Sequence, residues 1–459
     1  MEQITKPHCG ARLDRLPDCR WHSSMFAIVS FGLLVCWSNA VGGLILAQLK
    51  ELGWTDNSTT ATFSAITTAG MFLGALVGGI IGDKTGRRNA FILYEAIHIA
   101  SMVVGAFSPN MDFLIACRFV MGVGLGALLV TLFAGFTEYM PGRNRGTWSS
   151  RVSFIGNWSY PLCSLIAMGL TPLISAEWNW RVQLLIPAIL SLIATALAWR
   201  YFPESPRWLE SRGRYQEAEK VMRSIEEGVI RQTGKPLPPV VIADDGKAPQ
   251  AVPYSALLTG VLLKRVILGS CVLIAMNVVQ YTLINWLPTI FMTQGINLKD
   301  SIVLNTMSMF GAPFGIFIAM LVMDKIPRKT MGVGLLILIA VLGYIYSLQT
   351  SMLLITLIGF FLITFVYMYV CYASAVYVPE IWPTEAKLRG SGLANAVGRI
   401  SGIAAPYAVA VLLSSYGVTG VFILLGAVSI VVAIAIATIG IETKGVSVES
   451  LSIDAVVNK

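Results

Sequence analysis

Apolar runs, each near the roughly 20 residues that a helix needs to cross a ~30 Å hydrocarbon layer, alternate with short polar stretches along the chain. They predict membrane helices over 25–47, 61–82, 89–108, 113–137, 150–172, 182–202, 266–288, 301–323, 330–348, 353–378, 391–413 and 418–440, called spans one to twelve below. An even number of crossings leaves both ends on one side. The leading stretch, MEQITKPHCGARLDRLPDCRWHSS, is polar and carries two prolines, and no small-residue cleavage site follows it. No signal peptide is expected. One long polar interval, 203–265, includes PLPPVVIADDGKAPQAVPY and reads as a linker, being too polar and Pro-rich for lipid. The expected organisation is a tail (1–24), a six-helix bundle (25–202), a linker (203–265), a second six-helix bundle (266–440) and a tail (441–459).

Composition agrees. Only 13% of residues are charged where a soluble domain carries about 25%, and 55% are hydrophobic. The mean hydropathy is +0.71. Lys and Arg are retained on the cytoplasmic face, and the predicted topology puts all of them there except Lys50, Arg181 and Lys299 outside and Arg118 and Arg399 within helices. The net charge of +8 is therefore an orientation signal, and the scattering of cations over short loops argues against a nucleic-acid partner. Cys36, Cys117, Cys163, Cys271 and Cys371 fall inside spans, and Cys9 and Cys19 lie in the tail, so neither disulfides nor a metal site are expected. No phosphate loop or nucleophile motif appears, and no cofactor or enzyme chemistry is expected.

The halves echo each other. GDKTGRRN (82–89) returns as MDKIPRKT (323–330), and Glu138-Tyr-Met-Pro141 with Arg145-Gly146 returns as Glu380-Ile-Trp-Pro383 with Arg389-Gly390. With PESPRWLESRGRYQEA (203–218), PEIWPTEAKLRGSG (379–392) and IETKGVSVESL (441–451), these motifs resemble the major facilitator superfamily, in its sugar-porter and metabolite-porter group. The resemblance implies an all-α membrane protein with twelve transmembrane helices in two pseudo-symmetric six-helix bundles. It also implies an inner gate of charges, assigned to Asp83, Arg87, Arg88, Glu138, Arg145, Glu204, Arg207, Asp324, Arg328, Glu380, Arg389 and Glu442. Asp83 can accept from a neighbouring helix N-terminus and pair with an Arg; the other expected pairs are Glu138 with Arg145, Glu204 with Arg207, Glu380 with Arg389, and Glu442 with Lys444.

Intramembrane polar groups are costly unless they face water or a partner, so those in the spans lining the implied central path are substrate candidates. Arg118 in span four precedes Gly122, Gly124 and Gly126, whose spacing suits helix packing. In proton-coupled members of the family an acid in span one faces this Arg, but here Trp37, Ser38 and Asn39 occupy the place. Arg399, about 13 Å beyond Gly390 along span eleven, is the second buried cation. Two cations suggest an anionic guest, since a carboxylate satisfies a guanidinium bidentately; the competing reading is that each caps helix carbonyls or snorkels. Asn277, Tyr281 and Asn285 recur along one face of span seven with Gln280 beside them, and Asn305, Tyr369, Tyr372, Asn157 and Trp158 complete the set; alternatively the same side chains hold apolar helix interfaces. Glu95 with His98 on span three is the candidate proton-coupling pair, or a structural bond.

The resulting expectation is a secondary active transporter of a sugar acid or sugar, working by alternating access with protons as co-substrate. It would sit as a monomer in the lipid bilayer of a bacterial inner membrane, with both termini cytoplasmic. The alternatives are an uncoupled facilitator, an organic-ion carrier, or a nutrient sensor on the same fold.

Overall fold

In the computed structural model the described residues are 7–17, 19–141, 145–240, 253–323, 325–383 and 386–444, and every regular element among them is helical. Among the described residues nine helices are long and apolar enough to span a membrane; the last carries two spans, and the interrupted spans one and five complete the twelve. Helix starts follow local chemistry. The Asn110 side chain accepts the Phe113 N–H at 2.9 Å to open span four, and Asn297 accepts that of Asp300 at 2.9 Å to open span eight.

Several spans expected to be continuous are broken. Span one is two helices, Arg20–Val35 and Gly42–Glu51, joined by residues 36–41, where the chain leaves helical geometry at Cys36. Span five divides into Arg145–Asn157 and Ser159–Leu170, whereas span eight keeps right-handed helical geometry through Phe310 and runs as Leu298–Val322. Span ten ends in a π-helical turn, Tyr372–Tyr377, and spans eleven and twelve are two helices within Lys387–Ile439 that meet at a kink at Gly417, whose φ is 65°. Hydropathy registers which residues lipid accepts and is blind to where the backbone stops bonding to itself. A break in lipid needs substitute donors, and in span one the Arg118 guanidinium donates to the Ser38 carbonyl at 2.7 Å.

By packing, the chain groups into two compact units. One comprises residues 1–39, 70–159 and 184–246, the other 40–69, 160–183 and 247–459, a grouping that differs from the six-plus-six division at the linker. In the first unit, spans two and four approach so closely that a Cβ on Gly126 would meet the Met71 carbonyl oxygen at 2.1 Å, so the glycine run serves helix packing. In the second, the latter half of span one, Gly42–Glu51, packs on span seven.

The tail and linker are folded where residues are described. Helices Cys9–Asp14, Pro206–Ser211 and Tyr215–Thr233 bury Cys9, Leu13, Leu16, Trp208, Leu209, Ala218, Met222, Ile225 and Val229 together. The signal was the spacing of Ala218, Met222, Ile225 and Val229, one apolar stripe on an otherwise polar helix. Charge then fixes the tail. The backbone N–H groups of His8 and Cys9 donate to the Glu210 carboxylate at 3.0 and 2.8 Å, Arg12 grips Glu226 at 3.0 and 2.6 Å and also Glu219, and Arg15 reaches Glu226 at 2.6 Å. Burial alone would raise the Glu226 carboxyl; hydrogen bonds from Arg12 and Arg15 outweigh it and hold it below the ordinary carboxylate range.

Candidate functional site

Each unit carries one charge clasp, and the two have the same design. In the first, Arg87 begins span three, just after Gly86 turns the chain at φ 97°. Its guanidinium reaches Asp83 at 2.7 Å and Glu138 at 2.8 Å. The Glu204 carboxylate receives the backbone N–H groups of Arg87 at 2.7 Å and Arg88 at 3.2 Å. In the second, Arg328 begins span nine and meets Glu380 bidentately at 3.0 and 3.2 Å, while Glu442 receives the backbone N–H groups of Arg328 at 2.7 Å and Lys329 at 3.1 Å. Thr443 Oγ1 adds a bond to Glu380 at 2.6 Å. A carboxylate at a helix N-terminus meets both free N–H groups and the positive end of the dipole, which is why the glutamates seat there.

Several partners therefore differ from those the sequence suggested. Glu138 pairs with Arg87, and the Arg145 side chain lies outside the described residues. Glu204 caps span three, leaving Arg207 to bond Asp14 of the tail helix at 2.9 Å. Glu380 takes Arg328, while Arg389 lies over the Tyr254 ring at 5.2 Å. Glu442 caps span nine and also takes the backbone N–H of Lys444 at 3.1 Å, and the Lys444 ammonium bonds the Lys325 carbonyl. Arg88 donates to the Trp199 carbonyl at 2.6 Å. Asp324 lies outside the described residues. The sequence pairs were neighbours along the chain; the fold supplied stronger partners from other helices.

Among the substrate candidates of the second unit, Asn277 and Tyr281 pack against span eleven at Gly398 and Gly402. A Cβ on Gly398 would stand 3.0 Å from Asn277 Nδ2, and one on Gly402 would stand 3.1 Å from the Tyr281 ring, so glycine at each place lets the side chain lie close against span eleven. The amide of Asn277 bonds the Leu273 carbonyl of its own helix at 2.7 Å, and Asn285 is buried. Arg399 is half-buried, and its Nη1, shielded from solvent, has no hydrogen-bond partner among the described residues. Gln280 neighbours Tyr160 and Tyr367, whose rings meet edge-on at 5.3 Å. The buried Asn305 donates from Nδ2 to Ser164 Oγ at 3.2 Å and leaves Oδ1 without a partner among the described residues. Tyr369 spends its hydroxyl on the Val272 carbonyl at 3.1 Å, and Tyr372 stacks on Tyr377 at 5.0 Å, so both serve helix packing.

In the first unit Asn39 is half-buried in the break of span one, Asn157 bonds the Ser153 carbonyl at 2.8 Å, and Trp158 is exposed at the break of span five. The fully buried pair Glu95 and His98 is joined to this break. His98 Nε2 lies 2.7 Å from Ser38 Oγ, and His98 Nδ1 lies 3.5 Å from Glu95 Oε2. Cys36 Sγ stands 4.0 Å from both Glu95 Oε1 and His98 Nδ1.

Sequence reasoning missed Cys36, Ser38 as a bonding group, Tyr160, Ser164 and Tyr367. None lies within a turn of its partners in sequence, and the irregular CWSNAV was the one local sign that the backbone opens there.

A family model described as Major Facilitator Superfamily matches residues 26–406. YdjK of Escherichia coli (strain K12), whose name proposes metabolite transport, is 99% identical over 459 residues and 100% of each chain. The inner membrane metabolite transport protein YdjE of the same organism is 44% identical over 455 residues, 98% of this chain and 99% of that one. An inward-open structure of the xylose transporter XylE from E. coli matches with a TM-score of 0.74 at 16% identity, covering 94% of this chain and 99% of the other; at that identity the likeness speaks for the fold alone.

Proposed function

Starting from the fact that this chain belongs to the Major Facilitator Superfamily, and is thus a multi-pass membrane transporter of small molecules rather than an enzyme, we propose that its cargo is a sugar acid or a related sugar-derived carboxylate. The observation that carries the reading is Arg399. A guanidinium nitrogen shut away from water with no partner is expensive, and a carboxylate reaching it would satisfy it with two parallel bonds. The amides and phenols of Gln280, Tyr160, Tyr281 and Tyr367 suit the hydroxyls of the same guest, since each can both donate and accept. They also support the second reading, a neutral sugar. An organic cation is disfavoured, because it would have to sit beside Arg399.

The proposal extends to a bacterial inner membrane, both termini cytoplasmic, six helices on each side of the linker and a monomeric carrier; the distribution of Lys and Arg supports the orientation. The matched clasps on Arg87 and Arg328 are its inner gate. Coupling to protons is part of the reading, and the place of a span-one acid taken by Trp37, Ser38 and Asn39 favours downhill facilitation as its rival.

Counterflow in proteoliposomes, with labelled sugars and sugar acids screened side by side, tests it. Saturable exchange of a sugar acid is expected, weakened at least about tenfold in affinity by Arg399→Ala and less by Arg399→Lys, which keeps charge but loses the planar fork. Carboxylate affinity left intact by Arg399→Ala removes the anion argument, and exchange of no solute at all favours a sensor. Accumulation driven by an imposed pH gradient separates symport from facilitation.

A further inference from the structure

We propose that Cys36, Glu95 and His98 form a three-ligand site for a zinc-class divalent cation that fastens the broken segment of span one to span three. Their donor atoms lie within 4.8 Å of one another. An ion bonded at about 2.3 Å to sulfur and about 2.0 Å to nitrogen and oxygen holds its ligands roughly 3.5–3.7 Å apart on the sulfur edges and roughly 3.3–3.5 Å apart on the nitrogen–oxygen edge. Cys36 Sγ lies 4.0 Å from His98 Nδ1 and 4.0 Å from Glu95 Oε1, while His98 Nδ1 lies 3.5 Å from the other carboxylate oxygen, Oε2, so the carboxylate would turn to offer one oxygen to an ion drawn in between the three side chains.

The chemistry agrees with the geometry. Thiolate with imidazole and one carboxylate selects a borderline-soft ion such as zinc over magnesium or calcium. Ser38 Oγ lies 2.7 Å from His98 Nε2, placed to accept that nitrogen's hydrogen when Nδ1 binds an ion, the outer-sphere arrangement that orients a metal-bound imidazole. Glu95 is fully buried and its Oε2 accepts no hydrogen bond among the described residues, a costly state that a cation relieves. One thiolate and one carboxylate neutralise a divalent ion, which low-dielectric surroundings demand. A fourth position is left for water. A proton site would need only Glu95 and His98; the thiol equidistant from both is what a metal uses and a proton does not.

Metal binding on the purified full-length protein, freed of metal with a chelator, is the test. Titration with Co2+ should raise a thiolate-to-cobalt charge-transfer band in the wild type and in Cys271→Ser, a control on another helix, and this band should vanish in Cys36→Ser. Zinc should bind with one equivalent displacing cobalt, its affinity falling at least about tenfold in Cys36→Ser and in His98→Gln. Metal-free wild type and Cys36→Ser should melt alike, and zinc should raise the melting temperature of the wild type alone. A band that survives Cys36→Ser, or zinc binding equal in the two proteins, overturns the inference. So does a wild type indifferent to zinc whose gradient-driven accumulation is abolished by Glu95→Gln, which would return the pair to a proton. Because binding is read without substrate, a chain that carries solute but ignores zinc sinks this inference alone, and one that binds zinc but exchanges nothing sinks the carrier reading alone.

Discussion

Replacing Glu380 by Gln removes the charge of one clasp and keeps its shape. In the native protein Arg328 meets this carboxylate through two bonds, at 3.0 and 3.2 Å, with the Arg328 side chain 6% exposed and that of Glu380 35%. Charge-assisted bonds contribute about 1.5–3 kcal/mol, and the partial exposure of Glu380 argues for the lower end. Gln retains one acceptor oxygen, so the net loss is roughly 1.5 kcal/mol, about tenfold in the balance between clasped and open forms. For a unit of this size that corresponds to a fall of roughly 3–6 °C in melting temperature. Glu138→Gln should act likewise on Arg87. Since the two clasps lie in different units, the double variant should show the sum of the single effects, whereas Arg328→Ala with Glu380→Gln should cost less than their sum because both delete one interaction. Melting in detergent reads the stability, and the counterflow rate reads the gate. If Glu380→Gln changes neither, or if Glu138→Gln and Glu380→Gln move the counterflow rate in opposite directions, the idea of two equivalent inner clasps is wrong.

Three further outcomes follow from the same structure. Burial raises the Glu442 carboxyl, but the backbone N–H groups of Arg328, Lys329 and Lys444 outweigh it and leave it below the ordinary carboxylate range. Its contribution is therefore complete above about pH 4.3 and is lost as pH falls through the depressed value, so an acid melting series should lose a step in Glu442→Gln that the wild type retains. Leu13→Asp places a charge in an apolar cluster where Leu13 is 0% exposed, at a cost of about 3 kcal/mol or more, and limited proteolysis should then cut the tail while the membrane spans keep their melting temperature. Gly402→Val pushes side-chain bulk at a Tyr281 ring already 3.1 Å from the Cβ position, so counterflow should show a raised KM with little loss of stability, while Gly392→Ala, with nothing within 4 Å, should be silent; an unchanged KM in Gly402→Val removes Tyr281 from the binding face.

What the chain determined by itself is local. A helix closes its hydrogen bonds within four residues, and lipid tolerates no other exposed backbone, so hydropathy alone located the crossings, and the repeated GDKTGRRN and MDKIPRKT located the clasps. Whatever depends on partners distant in sequence was decided by tertiary structure. Glu204 and Glu442 seat on helix N-termini more than a hundred residues away along the chain, because an unsatisfied helix end attracts a carboxylate more strongly than the cation next to it does. Span one breaks at Cys36 because Arg118, from another helix, is there to take the freed Ser38 carbonyl, and the same break turns Cys36 toward Glu95 and His98. Periodicity records which face of a helix meets lipid; it carries no record of which side chains that burial brings together.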